Sequence, residues 1–502
     1  MSGLDPVALQ VMTGALRAAC DEMGAVLIRS AHSPNITERH DCSTALFDPG
    51  GELVMQAEHI PVHLGSMPDA VAVIVGEEQH DGDLWILNDP YRGGTHLPDI
   101  TLISPVFHEE ELLGFAASRA HHADIGGPTP GGMPALSVTL DEEGVVIPPT
   151  RADDDVLRDL ASQMRNPDQR LADLRAQRAA NLTGIDRLRQ LAERHGGELL
   201  ATATGEILDY AERRTRAALS AMPDGESTAE DVLEGRDGDI RLRVKATIRG
   251  DELELDFAGS AEQVAGNLNC PLSVTKAACT YAVRVVCDPD APPSAGAWRP
   301  VTVSAPRGSL LNAHPPAAVV GGNVETSSRV ADLVFAALAH FAPVGAEGQG
   351  TMNNLTLSGE DWTYYETIGG GQGACRDADG PSAEHVAMSN TLNTPIEALE
   401  TDYPVLVREL SVRRGSGGAG THRGGDGIVR ELEATEPMRF TLIGERRRHA
   451  PHGREGGDRG TPGRDLVNGE PVPAKTEGEL SAGDRLRIET PGGGGWGQTA
   501  GV

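Results

Sequence analysis

The sequence predicts an α+β protein: a large chain of several subdomains built on antiparallel β hairpins and sheets, with a central helical section and a Gly-rich, β-containing C-terminal region. Three observations predict it. Apolar runs of strand length pair across short turn-forming links within residues 1–150, and alternation returns over 226–258. Residues 152–220 instead carry Ala, Leu, Arg, Asp and Gln at helical spacing. Beyond about residue 290 Gly and Pro recur with no fixed period, which argues against a solenoid or propeller. At 502 residues the chain is too long for one ordinary core. The shifts in composition divide it into 1–150, 151–222 and 223–502.

Each element follows in order. Asp5 can cap a helix over 5–30, with Pro6 at its first position and Val7, Val11, Leu16, Ala19, Met23 and Leu27 near a 3.6-residue period. Residues 42–57 read as a hairpin around Asp48-Pro49-Gly50-Gly51. Ser66 and Pro68 open a short helix through Val75, and a strand from Leu84 to Leu87 runs into Asn88-Asp89-Pro90. Asp99–Phe107 and Leu112–His121 form a second hairpin through His108-Glu109-Glu110-Glu111. Breaks near Asn166-Pro167 and Gly196-Gly197 cut the helical section into two or three helices. Strands follow around Ile240–Val244 and Leu253–Phe257, and a helix over Ser327–Phe341 interrupts the C-terminal region, whose Gly runs are expected to be turns.

Charge narrows the partners. Asp plus Glu number 74 against 43 Lys plus Arg, a formal net charge of -31, and only Lys245, Lys276 and Lys475 are lysines. Such a surface repels nucleic acid and anionic membranes. It fits a salt-rich cytoplasm that screens self-repulsion, or an ordinary acidic protein of a GC-rich genome. Six scattered cysteines form no C-x-x-C pair, and MSGLDPVALQ has neither a basic nor an apolar leader, so a cytoplasmic location is expected.

The chemistry-bearing cluster lies between residues 88 and 127: Asn88, Asp89, His96, Asp99, His121, His122 and Asp124 among Gly93, Gly94, Gly126 and Gly127. A hairpin symmetric about Glu110 sets Asp99 opposite His121, at a Cβ separation of roughly 4.5–5.5 Å. Imidazoles with a carboxylate suit Zn, Mn or Fe, with a coordination position left open. The same residues could equally be hydrogen-bonded strand ends. A second polar run, His32 to Cys42, offers Asp41 as a further ligand or base, unless it pairs with Arg39 or caps a turn. His59 and His63 stand four apart, but Pro61 between them favours a loop over a shared helical face. No phosphate-cradling G-x-x-x-x-G-K-[S/T] and no G-x-S-x-G occurs, so neither a nucleotide site nor a serine-hydrolase elbow is expected.

The stretches ERHDCSTALFDPGGELVMQAEHIPVHLGSM (38–67), NDPYRGGTHLPDITLISPVF (88–107), AHHADIGG (120–127), ETIGGGQGA (366–374), MSNTLNTPIEALETDYPV (388–405), GSGGAGTHRGGDGIVR (415–430) and TPGGGGWG (490–497) resemble the hydantoinase B/oxoprolinase family. The likeness is weakest over 152–220 and 285–300, and APPSAGAWRP (291–300) lacks an asparagine that many relatives carry. The resemblance implies the B-type subunit of an ATP-dependent cyclic-amide hydrolase, of the N-methylhydantoinase or 5-oxoprolinase type. Alternatives are a subunit of an acetone- or acetophenone-type carboxylase, or a scaffold without catalytic groups of its own. It further implies a hetero-oligomer in which an A-type ATPase subunit binds the ATP and this chain carries a divalent metal, manganese or zinc. The ligands carried over are His96, Asp99 and His121, with Asp41 as a further one. Asp41, His122 and Asp124 are then the candidates for proton transfer or for orienting the ligand histidines.

Overall fold

The computed structural model describes residues 4–58, 60–63 and 65–498. The architecture is mixed α+β, with four mostly antiparallel sheets. The chain opens with α1 (Pro6–Ser30), capped by Asp5, then the single turn α2 (Pro34–Thr37). β1 (Cys42–Phe47) and β2 (Leu53–Glu58) form the first hairpin, and α3 spans only Met67–Ala72. β3 (Trp85–Leu87), β4 (Asp99–His108), β5 (Glu111–His121) and β6 (Thr150–Arg151) complete a six-stranded sheet ordered β2-β1-β5-β4-β3-β6. Three helices follow: α4 (Asp154–Ser162), α5 (Pro167–His195) and α6 (Gly197–Ser220).

This sheet is covered on both faces. Leu46, Val106, Ala116 and Ala120 pack with Leu16, Met23 and Leu27 of α1 and Ala180 and Leu188 of α5. Ala45, Phe47, Ile103, Phe115 and Ala117 pack on Met67, Ala70 and Val71 of α3. Side chains alternate along a strand, so Asp99, Thr101 and Ile103 face α3 while Ile100 and Leu102 face the helices α4 and α5.

A second sheet, ordered β10-β9-β8-β7, comprises β7 (Gly225–Glu234), β8 (Asp239–Arg249), β9 (Glu252–Asp256) and β10 (Val301–Ser304), the last pairing parallel to β9. It packs around α7 (Leu272–Cys287) and α8 (Ser327–Leu338), and α8 is led in by a π-helical turn, Gly322–Thr326. The remaining strands are β11 (Asn354–Ser358), β12 (Thr363–Glu366), β13 (Val405–Arg413), β14 (Gly427–Ala434), β15 (Met438–Ile443), β16 (Arg464–Val467), β17 (Glu470–Val472), β18 (Lys475–Leu480) and β19 (Arg485–Glu489). They form sheets ordered β12-β11-β15-β18 and β13-β14-β19-β16-β17, with α9 (Ile396–Asp402) beside them. Among the described residues no helix is long and apolar enough to cross a membrane.

The Gly runs depart from expectation. Instead of turning, many lie side by side with their backbones in contact. Gly425 N–H donates to Gln372 O at 2.8 Å, Gly493 N–H to Gly425 O at 2.9 Å and Gly418 N–H to Gly493 O at 2.8 Å. A Cβ on Gly371 would stand 2.0 Å from Gly425 O, and one on Gly424 2.0 Å from Gly493 O. Glycine is required here because the neighbouring chain occupies the space of a side chain.

Candidate metal centre

The pairing of Asp99 with His121 is observed, but the expected turn does not produce it. Phe107 faces Leu112 and His108 faces Glu111, so the turn is the two residues Glu109 and Glu110, both at positive φ (46° and 68°). That turn is centred half a residue before Glu110. A bulge then adds Leu113 to β5, so Val106 faces Gly114 and the pairing from there to Asp99 and His121 is the predicted one.

Around that pair the loop after β3 delivers a third group. Asn88 fixes the loop, donating to Leu97 O (2.8 Å) and Val145 O (3.0 Å) while accepting from Ile147 N–H (2.6 Å). Asp89 accepts from Tyr91 N–H at 2.9 Å. His96 thereby reaches the mouth of the hairpin. His96, Asp99 and His121 offer ligand atoms all within 4.8 Å of one another, and all three are buried. Asp99 Oδ1 lies 3.2 Å from His121 Nδ1, and Oδ2 lies 3.1 Å from His96 Nδ1 without hydrogen-bond geometry. Both ring nitrogens of His96 and Nε2 of His121 are buried with no hydrogen-bond partner, a costly state for polar atoms in a packed interior. Burial pushes the His96 imidazole down towards its neutral form, against the pull of Asp99. Burial alone would raise Asp99, but His96 and His63 beside it, with hydrogen bonds from His121 and His63, hold it well below the usual carboxylate range. Two imidazoles, a carboxylate and orphaned nitrogens on one point form a donor set that fits a divalent cation.

Residues remote in sequence close the centre. His63, from the 3-10 turn Pro61–His63, places Nε2 3.4 Å from Asp99 Oδ2 and Nδ1 3.0 Å from Ser43 Oγ. Thr95 Oγ1 donates to Asp99 Oδ2 at 2.9 Å. Tyr365 on β12 stacks on His121 at 4.7 Å between ring centroids, and the Arg39 guanidinium lies 4.9 Å from the same ring. A cavity of about 20 Å³ opens between these groups, its lining including Asp41, His63, Asp99, His121, Thr367 and Thr391. That is room for about one water molecule.

The other sequence candidates fall in two places. Asp41 lines the cavity, and its carbonyl accepts from His121 N–H at 3.0 Å. Its carboxylate is outside the three-residue group and accepts no hydrogen bond among the described residues; Arg39 does not pair with it. His122 and Asp124 are not brought to the cavity. Being adjacent to His121, His122 points to the opposite face of the sheet, where Nε2 meets Gln177 Oε1 of α5 at 2.9 Å. Asp124 accepts from the backbone N–H of Gly126, Gly131 and Arg165 and from the Arg165 side chain, at 2.8–3.0 Å. It ties a loop together. His59 lies outside the described residues. Tyr365, Thr367, Ser389 and Thr391 escaped sequence reasoning because nothing in their spacing connects them to residues near 121. Two of the family-like stretches (366–374 and 388–405) contain the last three and were the available signal.

The sequence and the fold carry a likeness to known proteins. The hydantoinase B/oxoprolinase family model matches residues 5–499, and the chain belongs to that family. It is 38% identical to an uncharacterized protein of Methanocaldococcus jannaschii, over 98% of this chain and 91% of that protein. It is also 38% identical to the 5-oxoprolinase of Dictyostelium discoideum, over 99% of this chain but only 40% of that enzyme. The chain therefore spans about two fifths of the length of that curated relative. The crystal structure of an ATP-dependent caprolactamase from Pseudomonas jessenii superposes with a TM-score of 0.92 at 31% identity, covering 99% of this chain and 91% of that one.

Proposed function

We propose that this chain is the B-type subunit of an ATP-dependent cyclic-amide hydrolase and opens a lactam or hydantoin ring at the His96–Asp99–His121 group. The observation that carries the reading is that group itself: three buried ligands with orphaned imidazole nitrogens, two of them, Asp99 and His121, lining a water-sized cavity. Relatives described as 5-oxoprolinase and ATP-dependent caprolactamase support the substrate class. His96, Asp99 and His121 would hold a divalent ion, manganese or zinc, and Asp41 stands where it could join them. A bound ion would supply Lewis acidity and lower the pKa of water at the site. The chain's own residues do the rest. Asp99 is kept ionised by His96 and His63 and oriented by Thr95, Tyr365 fixes the plane of the His121 ring, and Asp41, which lines the cavity and whose carboxylate accepts no hydrogen bond among the described residues, would accept a proton from attacking water. His122 ties the end of β5 to α5 through Gln177, and Asp124 holds the loop that follows.

Phosphoryl activation of the ring carbonyl falls to an A-type ATPase partner. The sequence offers no phosphate-cradling loop, this chain covers only 40% of a relative named 5-oxoprolinase, and the structurally similar caprolactamase is described as ATP-dependent. The test is to co-purify the chain with an A-type subunit and screen hydantoin, 5-oxoproline, caprolactam and simple ketones for ATP-dependent turnover, with calorimetry of ATP on this chain alone. Ring opening that needs both subunits and ATP is expected. Tight ATP binding by this chain alone, or ring opening without ATP, would overturn the division of labour.

A further inference from the structure

The wall of the cavity facing the histidine group carries more hydroxyl hydrogens than the protein can accept. Thr367 Oγ1 and Thr391 Oγ1 lie 2.5 Å apart, so one of the two hydrogens is spent between them. His385 is the other partner, with Ser389 Oγ 2.7 Å from its Nδ1 and Thr391 Oγ1 3.4 Å from its Nε2. Burial and the nearby Arg39 keep that imidazole neutral, with a pKa pushed down to about 4. A neutral imidazole accepts at one nitrogen only. Two of the three hydroxyl hydrogens are thus taken, and at least one has no acceptor among the described residues. All three residues line the cavity. Behind them Arg39 is fully buried and meets no carboxylate within ion-pair distance among the described residues. It donates to Thr367 Oγ1 (3.0 Å), Thr391 Oγ1 (3.3 Å) and Tyr365 O. A guanidinium donating into hydroxyl oxygens occupies their lone pairs and polarises their hydrogens outward. Arg39 is thus a buried cation that no contacting carboxylate neutralises, behind a wall beside room for about one oxygen atom.

We propose that Thr367, Ser389 and Thr391, polarised by Arg39 behind them, form an oxyanion-binding wall that takes one anionic oxygen of the activated amide opposite the histidine group. This rests on the metal-assisted reading above. Arg39 acts through the hydroxyls and is a positioning residue; the hydroxyls touch substrate.

The experiment uses Thr367→Val and Thr391→Val, which remove the hydroxyl at nearly constant volume, and Thr391→Ser, which restores it. Metal content is measured in each, and the metal-loaded chain is titrated calorimetrically with sodium fluoride, a single-atom anion. Wild type should bind fluoride, with the valine variants weaker by roughly tenfold or more at unchanged metal content and the serine variant close to wild type. With the partner subunit, kcat should fall about 100-fold and KM change less than about threefold. Inorganic phosphate that displaces fluoride would assign the oxygen to a phosphoryl group; phosphate that does not would assign it to the amide carbon. Normal metal with unaltered fluoride binding and turnover in both valine variants would overturn the wall and leave the metal reading standing. Loss of metal in those variants would show that the threonines serve the histidine group, which also overturns the wall. A wild-type chain that binds no metal would sink both readings.

Discussion

The hairpin that carries the centre and the glycine-packed C-terminal region are both buried, yet opposite in what they demand of the sequence. In the hairpin, specificity is positive: Asp99, His121 and their neighbours act through the side-chain atoms they present. In the region around Gly371, Gly425 and Gly493, specificity lies in side chains that are missing, because carbonyl oxygens of adjoining segments already fill the space. Losing a functional group in the first should cost chemistry and spare the fold. Gaining a methyl group in the second should cost the fold whatever the chemistry.

The harshest way to break this contrast is Gly425→Ala, whose Cβ would stand 1.8 Å from Pro381 O, a backbone atom that cannot swing away. We expect a loss above about 4 kcal/mol, seen as insoluble protein or a collapse in Tm. Gly205→Ala is its control: this position on α6 has nothing within 4 Å, so stability should rise by about 0.5–1 kcal/mol. Equal Tm for Gly425→Ala and wild type would refute the packing argument.

On the other side, Asp99→Asn, His96→Ala and His121→Ala should each lower bound metal and reduce turnover by roughly 1000-fold, an expectation of about 4 kcal/mol in the transition state. Elemental analysis and a melting curve check both halves of the expectation, with Tm staying within about 3 °C of wild type, or roughly 1 kcal/mol. Full metal occupancy in all three variants would place the site elsewhere.

A smaller effect, at a buried carboxyl outside both regions, is read by pH. Glu325, on the π-helical turn, accepts from Met352 N–H (3.1 Å) and Asn354 Nδ2 (2.8 Å) through one oxygen, while the other has no partner. Burial first, and Glu445 second, push its carboxyl up to about 7. A folded pKa above the unfolded value means the native state holds the proton more tightly. Its stabilising contribution is therefore complete below about pH 4.5 and is lost as pH rises through about 7. Glu325→Gln should keep the accepted hydrogen bonds and flatten that decline in Tm between pH 5 and 8. A variant with the wild-type slope would show that Glu325 does not titrate there.

The smallest expected change is at the turn of the site hairpin. Glu109 and Glu110 both sit at positive φ, where Asn-Gly is favoured. Glu109→Asn with Glu110→Gly should raise stability by about 1 kcal/mol and leave metal content unchanged. A fall in metal content would mean that the turn, and not the pairing of β4 with β3 and of β5 with β1 on either side of it, sets the register.

Local physics made much of the fold legible. Asp5 and Pro6 start α1, Asn166-Pro167 and Gly196 divide the helical section, and strand-length apolar runs mark both N-terminal hairpins, all as found. Asp99 and His121 were legible for the same reason, since a hairpin brings near residues together by register alone, whereas His96, on the loop before β4, was carried over with the resemblance. That register matched although the turn did not: the bulge at Leu113, invisible in a pattern of alternation, offset a turn centred half a residue early.

What the sequence alone determined was local: the N-terminal elements, the helical section, and two groups meeting across one hairpin, whereas α7 and most strands beyond residue 350 lay outside it. Tertiary structure alone decided which side of the sheet each histidine faced and what stood opposite. His121 and His122 are consecutive, and only the packing of α5 against one face and Tyr365 against the other gives the first a cavity and the second a glutamine. Likewise only the approach of β12 and the loop after it, more than 240 residues from His121, brings Thr367 and Thr391 to the cavity. Contacts across that distance depend on the packing of whole layers, and no residue spacing encodes them.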